Sequence, residues 1–253
     1  MAQDTPGILK RLQDKEFELK CLHHAEAITK IDFPTGLKEI ESVLEGLSIP
    51  IDEIVAGGGG EAEATQRMRK ALTTLNWAKR NFQIEKTING EVKESISHAV
   101  DHVRDLDMGT IALEIEWNNK DPFFDRDLEN FKRLHAEGAI SVGIIVTRGT
   151  TLHAQMRQFI SDFAKTKKID SFESLAPYDD LTRRQRRIIE KKVANARSPV
   201  SFAEAWVTMF CSDKYGEATT HWSKLAERVR RGVGNPCPLI LIGIPANVVV
   251  PAT

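Results

Sequence analysis

The segment Gly109-Thr-Ile-Ala-Leu-Glu-Ile-Glu-Trp117 constrains this chain more than any other. Ile111, Leu113, Ile115 and Trp117 share one parity, and Glu114 and Glu116 share the other. Side chains alternate across a strand, so a strand here buries one face and sets two carboxylates side by side on the opposite face. Charged groups are rarely buried unless they are paired or bind a metal. Two acids beside so apolar a run therefore need a cation or an open polar cleft. The plainer alternative is a solvated sheet face, and the spacing alone does not separate the two.

A turn at 106–109 adds a third acid. It sets Asp105 opposite Thr110, with facing residue numbers summing to 215, so Asp101 faces Glu114. Directly opposed side chains have Cβ atoms about 4.5–5.5 Å apart, close enough for two carboxylates to share a hard cation. Asp105 lies four residues further along, roughly 13 Å at about 3.3 Å per residue, which on this register is too far. Asp107 reads as a turn former. Three acids converging without a cation would repel one another. Oxygen ligands suit Mg²⁺. Such ions hold a phosphate, activate water and stabilise a leaving oxygen. Lys120, Asp121, Asp125, Arg126 and Asp127 follow the strand.

The rest of the chain frames this cluster. Its 253 residues are 41% hydrophobic and 28% charged, enough for a substantial core in a soluble protein. A net charge of -1 excludes a uniformly basic protein but not a local basic face. Cys21, Cys211 and Cys237 are isolated and read as reduced thiols, consistent with a cytoplasmic protein. The longest apolar run, from Leu239 to Val250, is interrupted by Gly243 and Pro245 and is too short to cross a bilayer.

Helical periodicity predicts helices within 1–30 and over 37–47, 61–76, 127–137, 152–164, 183–196 and 220–231. Strands are expected at 82–88, 98–104, 110–117, 139–146 and 239–244, with Asn89-Gly90 as a two-residue hairpin turn. The class is α/β (α+β), a central mixed β-sheet flanked by helices in a single domain. The glycine run 57–60 lacks a following Gly-Lys-Ser/Thr, so no nucleotide cofactor is expected.

The runs Val100-Asp-His-Val-Arg104 and Ile111-Ala-Leu-Glu-Ile-Glu-Trp-Asn-Asn-Lys-Asp-Pro-Phe-Phe-Asp-Arg-Asp-Leu128 resemble the BglII/BstYI family of type II restriction endonucleases, within the PD-(D/E)xK superfamily. The resemblance extends over roughly 50–245, through 57–61, Trp77, Ser141-Val-Gly-Ile-Ile-Val-Thr-Arg148, Thr219-Thr-His-Trp222 and Cys237-Pro-Leu-Ile-Leu-Ile-Gly-Ile244. It implies a restriction-endonuclease-like fold and a Mg²⁺-dependent homodimer. That dimer would hydrolyse double-stranded DNA at a palindromic site, with a GATC-containing hexamer the natural expectation. Under it, 1–50 is a helical N-terminal part, 57–148 the catalytic core and 149–253 the recognition and dimerisation elements.

Asp101 matches the first metal-binding acid and Glu114 the second. Glu116 stands where the commoner pattern has Lys; it can bind or deprotonate the attacking water, or hold a second metal. The gap of 13 between Asp101 and Glu114 is longer than the family pattern, which keeps Asp105 open as the first ligand. Glu61 is a candidate for the helix acid that often completes such centres, or simply an acid favoured by a helix N-terminus.

DNA contacts are expected from the basic helix carrying Arg183, Arg184 and Arg187, since phosphate contacts dominate affinity. A solvated basic helix is the alternative. Arg148, at a strand end, is placed to read guanine. Lys214, Thr219, Thr220 and His221 are further base-reading candidates, although for Thr219 a helix cap is the favoured reading. His102 and His221 also fit as satisfied core or surface histidines, and His98 lies near the acids without a partner pattern for a zinc site. A less specific nuclease of the superfamily, or a DNA-binding protein with a vestigial metal site, competes with the restriction-enzyme reading.

Overall fold

The structure, a computed structural model, describes residues 7–56 and 60–252. Positions 57–59 of the expected glycine loop lie outside the described residues. In chain order the elements are α1 (Lys10–Asp14), β1 (Glu18–Leu22), α2 (Ala25–Asp32), α3 (Pro34–Glu45), β2 (Ile49–Pro50), α4 (Ile51–Val55), α5 (Glu63–Thr74), β3 (Ala78–Ile88), β4 (Glu91–Leu106) and β5 (Gly109–Glu116). There follow α6 (Phe123–Ala136), β6 (Val142–Arg148), α7 (Thr150–Thr166), α8 (Phe172–Leu175), α9 (Arg183–Val193), α10 (Phe202–Tyr215), α11 (Trp222–Arg230), β7 (Leu239–Ile244) and β8 (Val249–Val250). None of the described helices is long and apolar enough to cross a membrane.

Six strands form one mixed sheet in the order β1-β7-β6-β5-β4-β3, and β2 pairs with β8 in a small second sheet. β5, β6 and β7 are mutually parallel, and β1, β4 and β3 run antiparallel to their neighbours. This is the expected mixed α/β arrangement, with strands drawn from residue 18 through residue 244.

Alternation along β5 sorts its residues between two layers. Ile111 and Leu113 join a core with Leu37 and Trp77, and Ala112 packs with Phe124, Leu128 and Phe131 of α6. Glu114 and Glu116 share the parity of Ala112, so their face is covered by α6 rather than solvated, and both are buried. The β5-α6-β6 crossover enforces this, because parallel neighbours need a long connection that returns across one face. Helix and sheet approach closely at Gly143, where an added Cβ would sit 2.5 Å from Phe131 Cδ2.

The register between β4 and β5 is the expected one, with Asp105 opposite Thr110 and His102 opposite Leu113. Asn89-Gly90 turns the β3-β4 hairpin; both residues have positive φ, the left-handed pair that such a turn needs. The N-terminal region departs from expectation. Instead of continuous helix, β1 occupies Glu18–Leu22 and pairs with β7 from Glu18↔Gly243 to Leu22↔Leu239. A five-residue apolar-polar run fits either period, and an open sheet edge decides it. Helix α10 was not anticipated, because Trp206, Val207, Met209 and Phe210 leave it no clean polar stripe.

Candidate active site

The buried acids sit between β5 and the first turns of α6. Glu114 and Glu116 are 5% and 3% exposed, and Asp127 of α6 is 1% exposed. Asp127 falls on the helix stripe of Phe124, Leu128, Phe131 and Leu134, and so points at the sheet. Asn119 Nδ2 donates to Glu116 Oε2 at 2.8 Å, and Thr147 Oγ1 donates to the Glu116 carbonyl at 2.8 Å. Arg126 Nε donates to Asp127 Oδ1 at 2.8 Å, and its Nη2 lies 3.6 Å from Glu116 Oε1. That guanidinium also covers the Phe123 ring at 4.3 Å and is half exposed.

One guanidinium does not neutralise three buried carboxylates. Burial, then the charges of Asp127 and Asp101, hold Glu114 well above the ordinary carboxylate range. Burial and the facing Asp127 push Glu116 up to about 8. Burial also raises Asp127, against the opposing pull of Arg126. Burial thus holds both Glu116 and Asp127 toward their protonated forms. Asp127 Oδ2 is buried without a hydrogen-bond partner. That unpaired oxygen is of the kind a hard divalent cation such as Mg²⁺ takes, although Glu114, Glu116 and Asp127 do not bring three carboxylate oxygens within 4.8 Å of one another.

Asp101 is placed next to this layer but turned from it. Its main-chain N–H donates to Glu114 Oε1 at 3.3 Å, in line with the 215 register. Its carboxylate is about half exposed and paired with Lys79 Nζ at 2.7 Å. The cause is an irregularity in β3-β4 pairing: Ala78 faces Val103 but Arg80 faces Val100, so β4 carries an extra residue there. Such a bulge re-aims side chains. Among the described residues only His153, Glu217 and His221 bring three acid or imidazole donors within 4.8 Å of one another, so Asp101, Glu114 and Glu116 do not close on one point as they stand. Asp105 is committed elsewhere: it pairs with Arg80 and accepts from Thr110 Oγ1 at 2.8 Å, and Arg80 holds its carboxyl below the usual range.

Asp101 opens onto a cleft of about 610 Å³ shared with Glu61, Arg69, Lys79, His102, Trp117 and Asn119. Glu61 therefore reaches the same cleft as Asp101, where it pairs with Arg69 at 2.9 Å. Asn119 connects the cleft to buried Glu116. His102 is buried with Nδ1 3.2 Å from the Leu113 carbonyl, and His98 is buried against α6, near Asn130 and Arg133.

The recognition candidates divide. Arg183, Arg184 and Arg187 are exposed on α9, which Thr182 and Gln185 close with a reciprocal capping box. Arg148 is fully buried. It donates to the Trp117 carbonyl at 2.8 Å, Thr219 Oγ1 at 2.6 Å and the Thr220 carbonyl at 2.7 Å, and lies over the Tyr215 ring. Thr219, Thr220 and His221 are buried with it. In place of an arginine aimed into a groove, the structure has a buttress that ties β6 to the segments after β5 and α10. Lys214 is half buried, its Nζ donating to the Ala56 carbonyl at 2.9 Å.

Asn119 and Lys79 were missed by sequence reasoning, and Arg126 and Asp127, noted after the strand, were given no role. Asp127 had a readable signal, an acid on the apolar stripe of a helix. Lys79 had none that survives the bulge.

A family model described as restriction endonuclease BglII/BglIII matches residues 17–244. No curated protein matches the chain significantly.

Proposed function

The chain belongs to the BglII/BglIII restriction endonuclease family, and from that premise we propose that it is a Mg²⁺-dependent type II enzyme that cuts double-stranded DNA at a short palindromic site as a homodimer. The observation that carries the reading is the buried layer of Glu114, Glu116 and Asp127, joined through Asn119 to a cleft on the Trp117 side of β5 that Asp101, Lys79 and Arg69 line. A dry acid cluster of this density destabilises the protein unless a cation is meant for it.

Asp101 and Glu114, with Asp127, would hold Mg²⁺, which supplies positive charge at the scissile phosphate and lowers the pKa of a water. The rest falls to the chain's own groups. Glu116, held by Asn119, would orient the attacking water and take its proton. Lys79 and Arg69 line the cleft and neutralise phosphate charge. Glu61 is placed to adjust Arg69 across that cleft. The exposed Arg183, Arg184 and Arg187 would clamp the duplex backbone, with the 149–253 part supplying recognition and dimerisation. Lys214 borders a smaller hollow with Glu61 and Asn118 and would be the base-proximal lysine.

The test is plasmid DNA with Mg²⁺, wild type against Glu114→Ala. Discrete fragments and a loss of roughly 10³-fold or more in the variant are expected. A smear would replace this reading with a less specific nuclease. A mobility shift without cleavage would leave a DNA-binding protein with a vestigial centre.

A further inference from the structure

Away from the carboxylate layer, His153 in the first turn of α7, Glu217 after α10 and His221 at the start of α11 converge. His153 Nε2 lies 3.4 Å from Glu217 Oε1, and His221 Nε2 lies 3.7 Å from Glu217 Oε2. Two ligands each about 2.1 Å from a tetrahedral ion stand about 3.4 Å apart. The two imidazoles stack with centroids 3.8 Å apart and planes 5° from parallel. His221 is 1% exposed, and its Nε2 is buried with no hydrogen-bond partner. Leaving such a nitrogen unpaired is costly. His221 Nδ1 is already taken by Ser223 Oγ at 2.9 Å, so only Nε2 faces Glu217.

We propose that His153, Glu217 and His221 bind a transition-metal ion of the zinc class, at a site separate from the carboxylate layer. Two imidazoles and one carboxylate select a borderline ion such as Zn²⁺, whereas Mg²⁺ prefers oxygen throughout. Burial, and then the neighbouring charges, keep both histidines below their ordinary range, His221 at about 4. They are therefore neutral at physiological pH, the form that ligates metals. On binding, the ring proton of His153 moves to Nδ1, and the rings tilt out of the stack so that each in-plane lone pair meets the ion. The 3.3 Å contact of Arg148 Nη1 with His153 Nδ1 is released, and Arg148 keeps its bonds to Trp117, Thr219 and Thr220. Glu217 is 82% exposed, which leaves the fourth position to water.

The ion would join α7 to a segment already tied to the loop after β5. Asp121 N donates to the Ala218 carbonyl at 3.1 Å, and Thr220 N donates to the Asn119 carbonyl at 2.8 Å. A clamp there steadies the loop whose Asn119 holds Glu116.

The full chain, stripped with a chelator, is titrated with Zn²⁺ and Co²⁺ without Mg²⁺. A chromogenic chelator competes for Zn²⁺, and visible absorption reads Co²⁺. Wild type should bind one Zn²⁺ per chain with a dissociation constant of about 1 µM or lower. Its Tm should rise by roughly 5 °C at a hundredfold excess over that constant. His153→Asn should abolish binding, and Glu217→Gln, an exposed change that leaves the fold intact, should weaken it at least tenfold. Glu114→Gln should bind Zn²⁺ as wild type does. No saturable binding in wild type, undiminished binding by Glu217→Gln, or loss of the Zn²⁺ in Glu114→Gln would each overturn the proposal.

Discussion

Glu116 is set apart from its neighbours by the groups that hold it. Asn119 fixes one oxygen, and Asp127 with Arg126 addresses the other. A glutamate so oriented, and raised by burial and then by Asp127, must lose its own proton before it can act as a base. Glu116→Gln should therefore lower single-turnover plasmid cleavage roughly 10²-fold or more while leaving DNA affinity in Ca²⁺ unchanged. Unchanged cleavage would remove Glu116 from the chemistry. Arg148 and Arg184 give the opposite contrast. Arg148→Ala strands the Trp117 and Thr220 carbonyls and empties the space over Tyr215, a cost of about 3–5 kcal/mol by denaturant melts. Arg184→Ala, on the exposed face of α9, should move stability by less than about 0.5 kcal/mol. It should nevertheless weaken DNA binding and lower the salt slope by about 1. Equal melting losses in the two variants would show that Arg148 is no buttress.

At the scale of elements, the β5-α6 layer stores like charge and should reveal it through pH. Glu116 has a folded pKa of about 8, above the ordinary 4.5 it has when unfolded. The folded state thus binds the proton more tightly. The stability this contributes is complete below pH 4.5 and is lost as pH rises through about 8. The metal-free Tm should fall steadily across that window, and Mg²⁺ should restore it most at the alkaline end. Asp127→Asn removes the facing charge and should flatten the fall. A metal-free Tm that is level from pH 5 to 8 would contradict the raised Glu116.

Much of this layer could be read from residue order. The parity of Glu114 and Glu116, the 215 register and the Asn89-Gly90 turn are local rules, and the structure follows them. What could not be read was the cover. Only the β5-α6-β6 crossover decides that the acid face is buried, and only the β3-β4 bulge decides that Asp101 turns to Lys79. Likewise β1 is a strand because the edge of β7 awaits it, and Arg148 is internal because the segment at Thr219-Thr220 closes over it.

For the whole molecule, net charge of -1 means that duplex affinity would come from local cations, for which the Lys79-Arg69 cleft and α9 are the proposed sources, rather than from overall attraction. One cluster of acids serves one phosphate, whereas a palindrome presents two scissile bonds related by a two-fold axis. The proposed homodimer, two copies joined by an isologous interface, would meet that symmetry, each cutting one strand. Mixed dimers make this measurable. Wild type and Glu114→Gln chains, carrying different affinity tags, are unfolded together, refolded and purified through both tags. If each subunit cuts its own strand, the mixed species should nick supercoiled plasmid at the recognition site and accumulate open circles. Wild type should pass on to linear DNA, and the doubly substituted dimer should do neither. Linear product from the mixed species at the wild-type rate would mean that one centre serves both strands, and a sedimentation mass of one chain on DNA would exclude the dimer outright.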